Sequence, residues 1–176
     1  MLETLTSLLL PWSELYADSA WIPTTILAVH VLALFAGGGI AIAADRRVLL
    51  ATPGTREAYQ AAAADLRTTH AIVIGSIVVM VASGIALATS DIGTFAVSKV
   101  FWSKMAMFTV LIANGAYMRR TESRVLTAAT DAGVMIDKTT QWPSPHLPWA
   151  VLKRSATISL IAWFSVVLLG VVLSEI

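Results

Sequence analysis

Four apolar stretches, nearly free of charged residues, alternate with polar segments along this chain of 176 residues. They cover roughly residues 21–44, 70–90, 100–118 and 155–173. An α-helix rises ~1.5 Å per residue, so ~20 residues cross a hydrocarbon layer ~30 Å thick, and each stretch comes close to that length. The pattern therefore predicts an all-α fold in which residues 21–176 form an integral-membrane bundle of four transmembrane helices.

The first 20 residues follow a different pattern. Apolar side chains recur there at helical spacing, at Leu2, Leu5, Leu8, Leu9 and Trp12. Pro11 interrupts this repeat, and a proline removes a backbone hydrogen-bond donor. Residues 1–20 are therefore predicted to form a short amphipathic segment that lies on the outer surface of the membrane.

The overall composition agrees with a membrane protein. Hydrophobic residues make up 57% of the chain and charged residues only 13%, which would leave a soluble domain of this size short of polar surface. The lipid bilayer is thus the first expected partner. A formal charge of +1 gives no reason to expect nucleic-acid binding. The absence of cysteine excludes disulfides, thiolate metal sites and covalent haem attachment.

The basic residues indicate the orientation of the helices. Of twelve Lys and Arg residues, four lie in segment 45–69 and six in segment 119–154. Positive charges remain on the cytoplasmic side, so both segments are predicted to be cytoplasmic loops of a bacterial inner-membrane protein with both termini outside. The second helix is expected to begin before residue 70. The proline-rich stretch 142–149 is expected to be irregular.

Within the first span, one helical face carries mostly small residues. His30 shares this face with Ala33, Gly37, Ala41 and Ala44, which predicts that the imidazole points into the bundle. Ordinary helix packing is the alternative explanation of the small residues. For the histidine, the alternative is a neutral imidazole hydrogen-bonded to a serine, a threonine or a backbone carbonyl.

Two polar residues lie inside the third predicted span. Lys104 is about one turn from the outer end, and Asn114 lies ~15 Å deeper at a rise of ~1.5 Å per residue. His30 lies ~13 Å from its own outer end by the same rise, so it shares the outer half of the membrane with Lys104. Ionisable side chains at such depth indicate function, although a lysine can also extend to the headgroups. For Asn114 we expect an interhelical hydrogen bond.

The depth of two methionines suggests a cofactor. Met80 and Met107 lie within about two turns of the level of His30, so single-His or His/Met ligation of a b-type haem is geometrically possible. The same three residues would also suit Cu(I), whose preferred ligands are thioether and imidazole. Packing is the ordinary role of such methionines. His70 and His146 are both predicted at the cytoplasmic end, and no paired intramembrane carboxylates are expected.

Several of these residues also carry a family resemblance. They are the run from His30 to Gly39, the Asp45-Arg46-Arg47 sequence, the run from Phe101 to Met105, and Asn114. Over residues 21–120 the chain resembles a group of bacterial four-helix membrane proteins and, more distantly, HemJ-type protoporphyrinogen oxidases and CopD-type copper-resistance membrane domains. The resemblance to HemJ-type proteins implies a haem-associated role for His30 and a role in activity for Lys104. The tryptophan often found before the glycines of those families is absent, and the fourth span carries no matching motif.

Three functions follow as hypotheses. The first is a redox or haem-associated membrane protein in which His30 is the axial ligand and Lys104 pairs with a propionate or an anionic substrate. The second is a non-catalytic accessory subunit that docks onto other membrane subunits or onto copies of itself. The third is transport of copper or of a small solute. Whether the protein is an enzyme stays open at this point.

Overall fold

The computed structural model describes residues 2–51, 56–135 and 146–173, with side chains placed over 3–51, 68–124 and 149–173. The described residues form helices and no strand, which confirms the all-α prediction. In chain order the helices are α1 (Leu2–Asp18), α2 (Trp21–Leu50), α3 (Arg56–Ser90), α4 (Ile92–Val97), α5 (Lys99–Met135) and α6 (His146–Leu173).

Three helical segments are long and apolar enough to cross a membrane: Trp21–Leu50, Thr68–Ser90 and Trp149–Leu173. They correspond to the first, second and fourth predicted spans, so the chain has the properties of a multi-pass membrane protein. The third predicted span lies in α5 and is not among them. Lys104 and Asn114 reduce the apolar character of α5, and its crossing of the membrane stays a prediction.

The helices extend well beyond the predicted spans. As predicted, α3 begins early, at Arg56. The prediction of a loop from residue 119 is wrong over its first part, because α5 continues to Met135. At ~1.5 Å per residue, the 37 residues of α5 would measure ~55 Å, well beyond the hydrocarbon thickness. The basic residues after position 118 therefore begin on a helical extension.

Two prolines lie where the sequence predicted breaks in helical structure. Pro11 is inside α1, which continues from Leu2 to Asp18, so the predicted interruption is wrong. Its ring removes one N–H donor, but the helix continues on either side. The prediction that residues 142–149 are irregular is wrong from His146 onward, where α6 begins. Pro148 falls in the first turn of α6, where backbone N–H groups have no intrahelical partner to lose. Residues 142–145 lie outside the described residues.

The four long helices pack in antiparallel pairs. Helix α2 packs mainly against α3 and α6, and α5 packs mainly against α6 and less extensively against α3. Two glycines allow the closest approach: a Cβ atom added to Gly37 would lie 2.7 Å from Ser76 Cβ, and one added to Gly38 would lie 3.1 Å from Trp163 Cε3. The small-residue face of α2 thus brings α3 and α6 close to its backbone.

Polar and apolar side chains are distributed as expected for a protein in lipid. Large apolar side chains face outward, among them Leu32, Phe35 and Phe164, which are 67%, 72% and 63% exposed. Polar side chains are buried instead, including Asp45, Ser83, Thr121, Glu122, Ser155 and Ser159. In water this distribution would be unfavourable, because exposed apolar surface of this extent drives proteins to associate. A hydrocarbon environment makes it favourable.

Candidate functional site

His30 lies at the contact between α2 and α3. Its ring is half-buried, and its Nδ1 atom lies 2.9 Å from the Oγ atom of Ser83. Gly84, next to Ser83, leaves room for the ring, because a Cβ atom there would lie 3.3 Å from His30 Cε1. The expected inward orientation is what the structure shows, and a serine is the partner that the sequence analysis offered as one alternative.

The hydrogen bonds of Ser83 determine which nitrogen of His30 carries the proton. The Ser83 hydroxyl donates to backbone carbonyls of its own helix, at 2.7 Å to Val79 and 3.2 Å to Met80. A hydroxyl has one hydrogen, so when Ser83 donates it to either carbonyl, its oxygen can only accept from His30. In that arrangement Nδ1 is the protonated nitrogen of a neutral His30 and Nε2 keeps a free electron pair; the ring also hydrogen-bonds the backbone of Met80. This is the arrangement by which a hydrogen-bond partner orients a metal-binding histidine.

Lys104 extends into the interior of the protein. A Cβ atom added to Gly170 on α6 would lie 3.5 Å from Lys104 Nζ, so the ammonium packs against the backbone of α6. It also lies within electrostatic range of His30. Within the described part of the chain, no carboxylate or hydrogen-bond acceptor is paired with this ammonium. The two residues that the sequence placed in the same half of the membrane thus contribute to one region.

The two candidate methionines pack close to this region. Met80 is 4% exposed and belongs to an apolar cluster with Ala33, Leu111, Ala162 and Trp163. Met107 is partly buried and packs against the same cluster. Both side chains therefore contribute to packing between helices, and their binding of a cofactor or of Cu(I) stays a prediction.

Asn114 links α5 to α6. Its Nδ2 donates to the backbone carbonyl of Ser155 at 2.9 Å, and the Ser155 hydroxyl donates to Asn114 Oδ1 at 2.9 Å. Ser155 is 3% exposed, so the pair satisfies polar groups that lie away from water. This is the interhelical role that the sequence analysis favoured.

A second polar cluster lies at the other end of the helices and was not expected. His70 Nδ1 on α3 lies 3.1 Å from Glu122 Oε2 on α5. Asp45 on α2 is within electrostatic range of His70, and its carboxyl group interacts with the hydroxyl of Ser159 on α6. Each of the four long helices contributes one residue. In this cluster Glu122 is paired with a histidine and Asp45 with a hydroxyl.

The sequence does not predict this cluster, because the predicted ends of two helices, α2 and α5, lie too early in the chain. Asp45 was placed just after the first span and Glu122 in a loop, whereas both lie within continuous helices. The apolar stretches predict where lipid contacts the helices, but not where the helices end. The absence of a break between Met118 and Glu122 is the signal that would have placed Glu122 on the helix.

Other possible sites are few in the residues that the structure describes. Those residues include no group of three or more His, Cys, Asp or Glu side chains that could hold a metal ion. Two surface depressions of about 140 and 310 Å³ lie away from His30, one lined partly by Asp91 and Phe95, the other by Arg119 and Arg120. The side chain of His146 lies outside the described residues.

Comparisons of this chain with protein-family models, curated proteins and solved structures found no match.

Proposed function

We propose that this chain is a four-helix integral membrane protein that binds a b-type haem in its outer half through Nε2 of His30. In this proposal α5 also crosses the membrane, as the third of four spans, segments 45–69 and 119–154 face the cytoplasm, and both termini lie outside. The observation that carries the proposal is the pairing of His30 Nδ1 with Ser83, which leaves Nε2 available within electrostatic range of the Lys104 ammonium, a group without a partner among the described residues.

The residues around His30 fit such a group chemically. Neutral imidazole is a common axial ligand of haem iron, and its other nitrogen is normally held by a hydrogen bond. Ser83 provides that bond and is itself fixed by backbone carbonyls of α3. Lys104 supplies a positive charge in the interior, where a haem propionate would be a suitable partner.

The packing of α2 against α3 limits the side from which a planar group can approach. These helices are in close contact at Gly37 and Ser76 and again at His30 and Gly84. A flat cofactor therefore has no room between them. In this proposal the group approaches Nε2 from the side of α5 and α6, where Lys104 is located. This favours ligation by His30 alone, or with a residue of α5 such as Met107, over ligation by His30 with Met80.

When bound, a b-type haem would supply one-electron oxidation and reduction. Three residues of the protein would each have a separate role. His30 would hold the iron, Ser83 would keep the imidazole in one tautomer and orientation, and Lys104 would neutralise an anionic group. The apolar exterior keeps these residues within the bilayer. Electron exchange with a partner, rather than hydrolysis or group transfer, is the chemistry that this set of residues supports.

The proposal is tested by the absorption spectrum of the protein purified in detergent from cells supplied with haem. We expect a Soret band that shifts on reduction. His70→Ala is the matched control, because His70 is the other histidine whose side chain the structure describes and it lies in the cluster at the opposite end. Its spectrum should match the wild type. A colourless wild-type protein, or loss of the band in His70→Ala but not in His30→Ala, would refute the proposal.

A second candidate function is that of an accessory subunit in a membrane complex. The observation in its favour is α1, which carries exposed leucines at Leu5, Leu8, Leu10 and Leu15. Trp12 attaches α1 to α3 through a hydrogen bond from Nε1 to the carbonyl of Ala86, at 3.3 Å. A helix held in this way presents its leucines to the membrane interface or to another subunit. Co-purification of a second membrane protein with a colourless chain would favour this function.

A further inference from the structure

We propose that Asp45, His70, Glu122 and Ser159 form a proton-binding site at the end of the helices opposite to His30, and that Asp45 holds the bound proton. This site is independent of haem binding. It would give the protein a group that exchanges protons with the cytoplasmic solution.

The burial of Asp45 is the first observation. Its residue is 3% exposed, and its Oδ2 atom has no hydrogen-bond partner among the described residues. The Ser159 hydroxyl interacts with the same carboxyl group. An ionised carboxylate oxygen buried without a donor is very unfavourable, and such a group is neutralised instead. A proton bound to Asp45 removes the charge and needs less space than any other cation.

The charged groups around Asp45 indicate that its carboxyl group is neutralised by a bound proton rather than by an ion pair with a basic side chain. From α3 the titratable group that faces Asp45 is His70, and behind it α5 contributes Glu122. From α6 the facing group is the hydroxyl of Ser159, which does not titrate in this range. No lysine or arginine is paired with Asp45 in the part of the chain that the structure describes. The described residues also lack a ligand set for a metal ion.

His70 is the most exposed titratable residue of the site. Its side chain is 18% exposed, compared with 5% for Glu122, so it is the member of the cluster that reaches the surroundings most readily. Glu122 holds Nδ1 and thereby directs the other ring nitrogen. Because Nδ1 is held by Glu122, the other ring nitrogen has to both take up and release the proton, and from there His70 would be the donor to Asp45. The Asp45 carboxylate would accept that proton and become the neutral acid, with no other bond formed or broken.

Infrared difference spectroscopy of the protein in lipid nanodiscs tests this proposal. Spectra recorded between acidic and alkaline pH contain carbonyl-stretch bands from every carboxyl group that takes up a proton, and one of them, distinct in frequency from those of the exposed carboxyl groups and shifted in D2O, should belong to Asp45. The band should vanish in Asp45→Asn and remain in Glu122→Gln. It should also remain in Asp91→Asn, the matched control, since Asp91 is exposed and caps α4. A wild-type protein without the band, or a band that survives in Asp45→Asn, would overturn the proposal.

Two further variants keep the test decisive if Asp45→Asn fails to fold. Ser159→Ala removes a hydroxyl that interacts with the carboxyl group, so the band should change frequency. His70→Gln should slow the appearance of the band after a pH jump, because the imidazole no longer passes protons. A band at an unchanged frequency in Ser159→Ala would show that another carboxyl group is responsible. An unchanged rate in His70→Gln would remove His70 from the site.

Discussion

At the scale of single residues, the hydrogen-bonding of one serine determines what His30 can do. The Ser83 hydroxyl commits its hydrogen to backbone carbonyls and accepts from Nδ1, so the imidazole presents Nε2. A histidine without such a partner could rotate and exchange tautomers. The sequence predicts that His30 points inward, because the residue shares a face with small side chains. It does not predict Ser83, which is one of several serines on α3 and is singled out only by the register between the two helices.

Replacement of Ser83 by alanine should weaken haem binding without removing it. Residues that orient a metal ligand typically contribute 10- to 100-fold in affinity, and a loss of about that size is expected in a haem titration of Ser83→Ala. Ser165→Ala is the matched control, because the Ser165 hydroxyl bonds only to the backbone of its own helix, at Ile161. Equal affinity for haem in Ser83→Ala and the wild type would mean that this hydroxyl does not orient His30.

Substitutions of Lys104 distinguish a role in cofactor binding from simple extension of the side chain to the lipid headgroups. If its ammonium binds an anionic group of the cofactor, Lys104→Met should lower haem affinity by roughly 10- to 100-fold, since a hydrogen bond to a charged group contributes about 1.5–3 kcal/mol. Lys104→Arg should restore it only in part, because a planar guanidinium does not replace a compact ammonium.

The stability of the cofactor-free protein provides a second measurement on Lys104. Removal of an unpaired interior charge should leave the melting temperature of cofactor-free Lys104→Met equal to or above that of the wild type. A lysine that only reaches the headgroups predicts no change in haem affinity. That result would remove Lys104 from the site and favour the accessory-subunit function.

At the scale of helices, tight contact between α2, α3 and α6 depends on individual glycines. Gly37 and Gly39 lie on one helix only two positions apart, yet only Gly37 faces a neighbour at close range. The small-residue face of α2 predicts this contact, although not the identity of Ser76 and Trp163 on the other side. Packing faces are visible in a sequence through helical periodicity, whereas the register between helices depends on side chains from two segments at once.

Gly37→Ala should destabilise the protein, and Gly39→Ala should not. A methyl group at Gly37 would lie 2.7 Å from Ser76 Cβ, so the helices would have to move apart, at a cost of about 1–3 kcal/mol. A methyl group at Gly39 meets no atom within 4 Å. Thermal unfolding followed by circular dichroism in detergent measures both variants. Equal melting temperatures would show that α2 and α3 do not pack as described.

Helix ends were the least predictable feature at this scale. The apolar stretches locate the lipid-facing parts of α2, α3 and α6 well, but α3 and α5 continue far into segments rich in charge. Arg, Lys and Glu are good helix formers, and hydropathy carries no information on helical structure outside the bilayer. The polar cluster around His70 and Glu122 was missed for this reason.

At the scale of the whole molecule, the absence of cysteine permits a direct test of orientation. Arg124→Cys and Thr94→Cys each introduce one thiol, at exposed positions on opposite sides of the proposed membrane. An impermeant thiol reagent applied to intact cells should label Thr94→Cys and not Arg124→Cys, and permeabilised cells should show labelling of both. Labelling of Arg124→Cys alone in intact cells would reverse the orientation, and equal labelling of both would place them on one side and exclude α5 as a span.

The central claim is that His30 is the axial ligand of a haem, and the absorption spectrum of His30→Ala tests it most directly. The protein should lose its Soret band while keeping the helical circular dichroism of the wild type, since the apolar packing of α2 does not depend on the imidazole. Imidazole added to the haem-supplemented variant should restore the band, because the free ligand can occupy the space that the side chain leaves. A folded His30→Ala protein with the full Soret band of the wild type would contradict the claim.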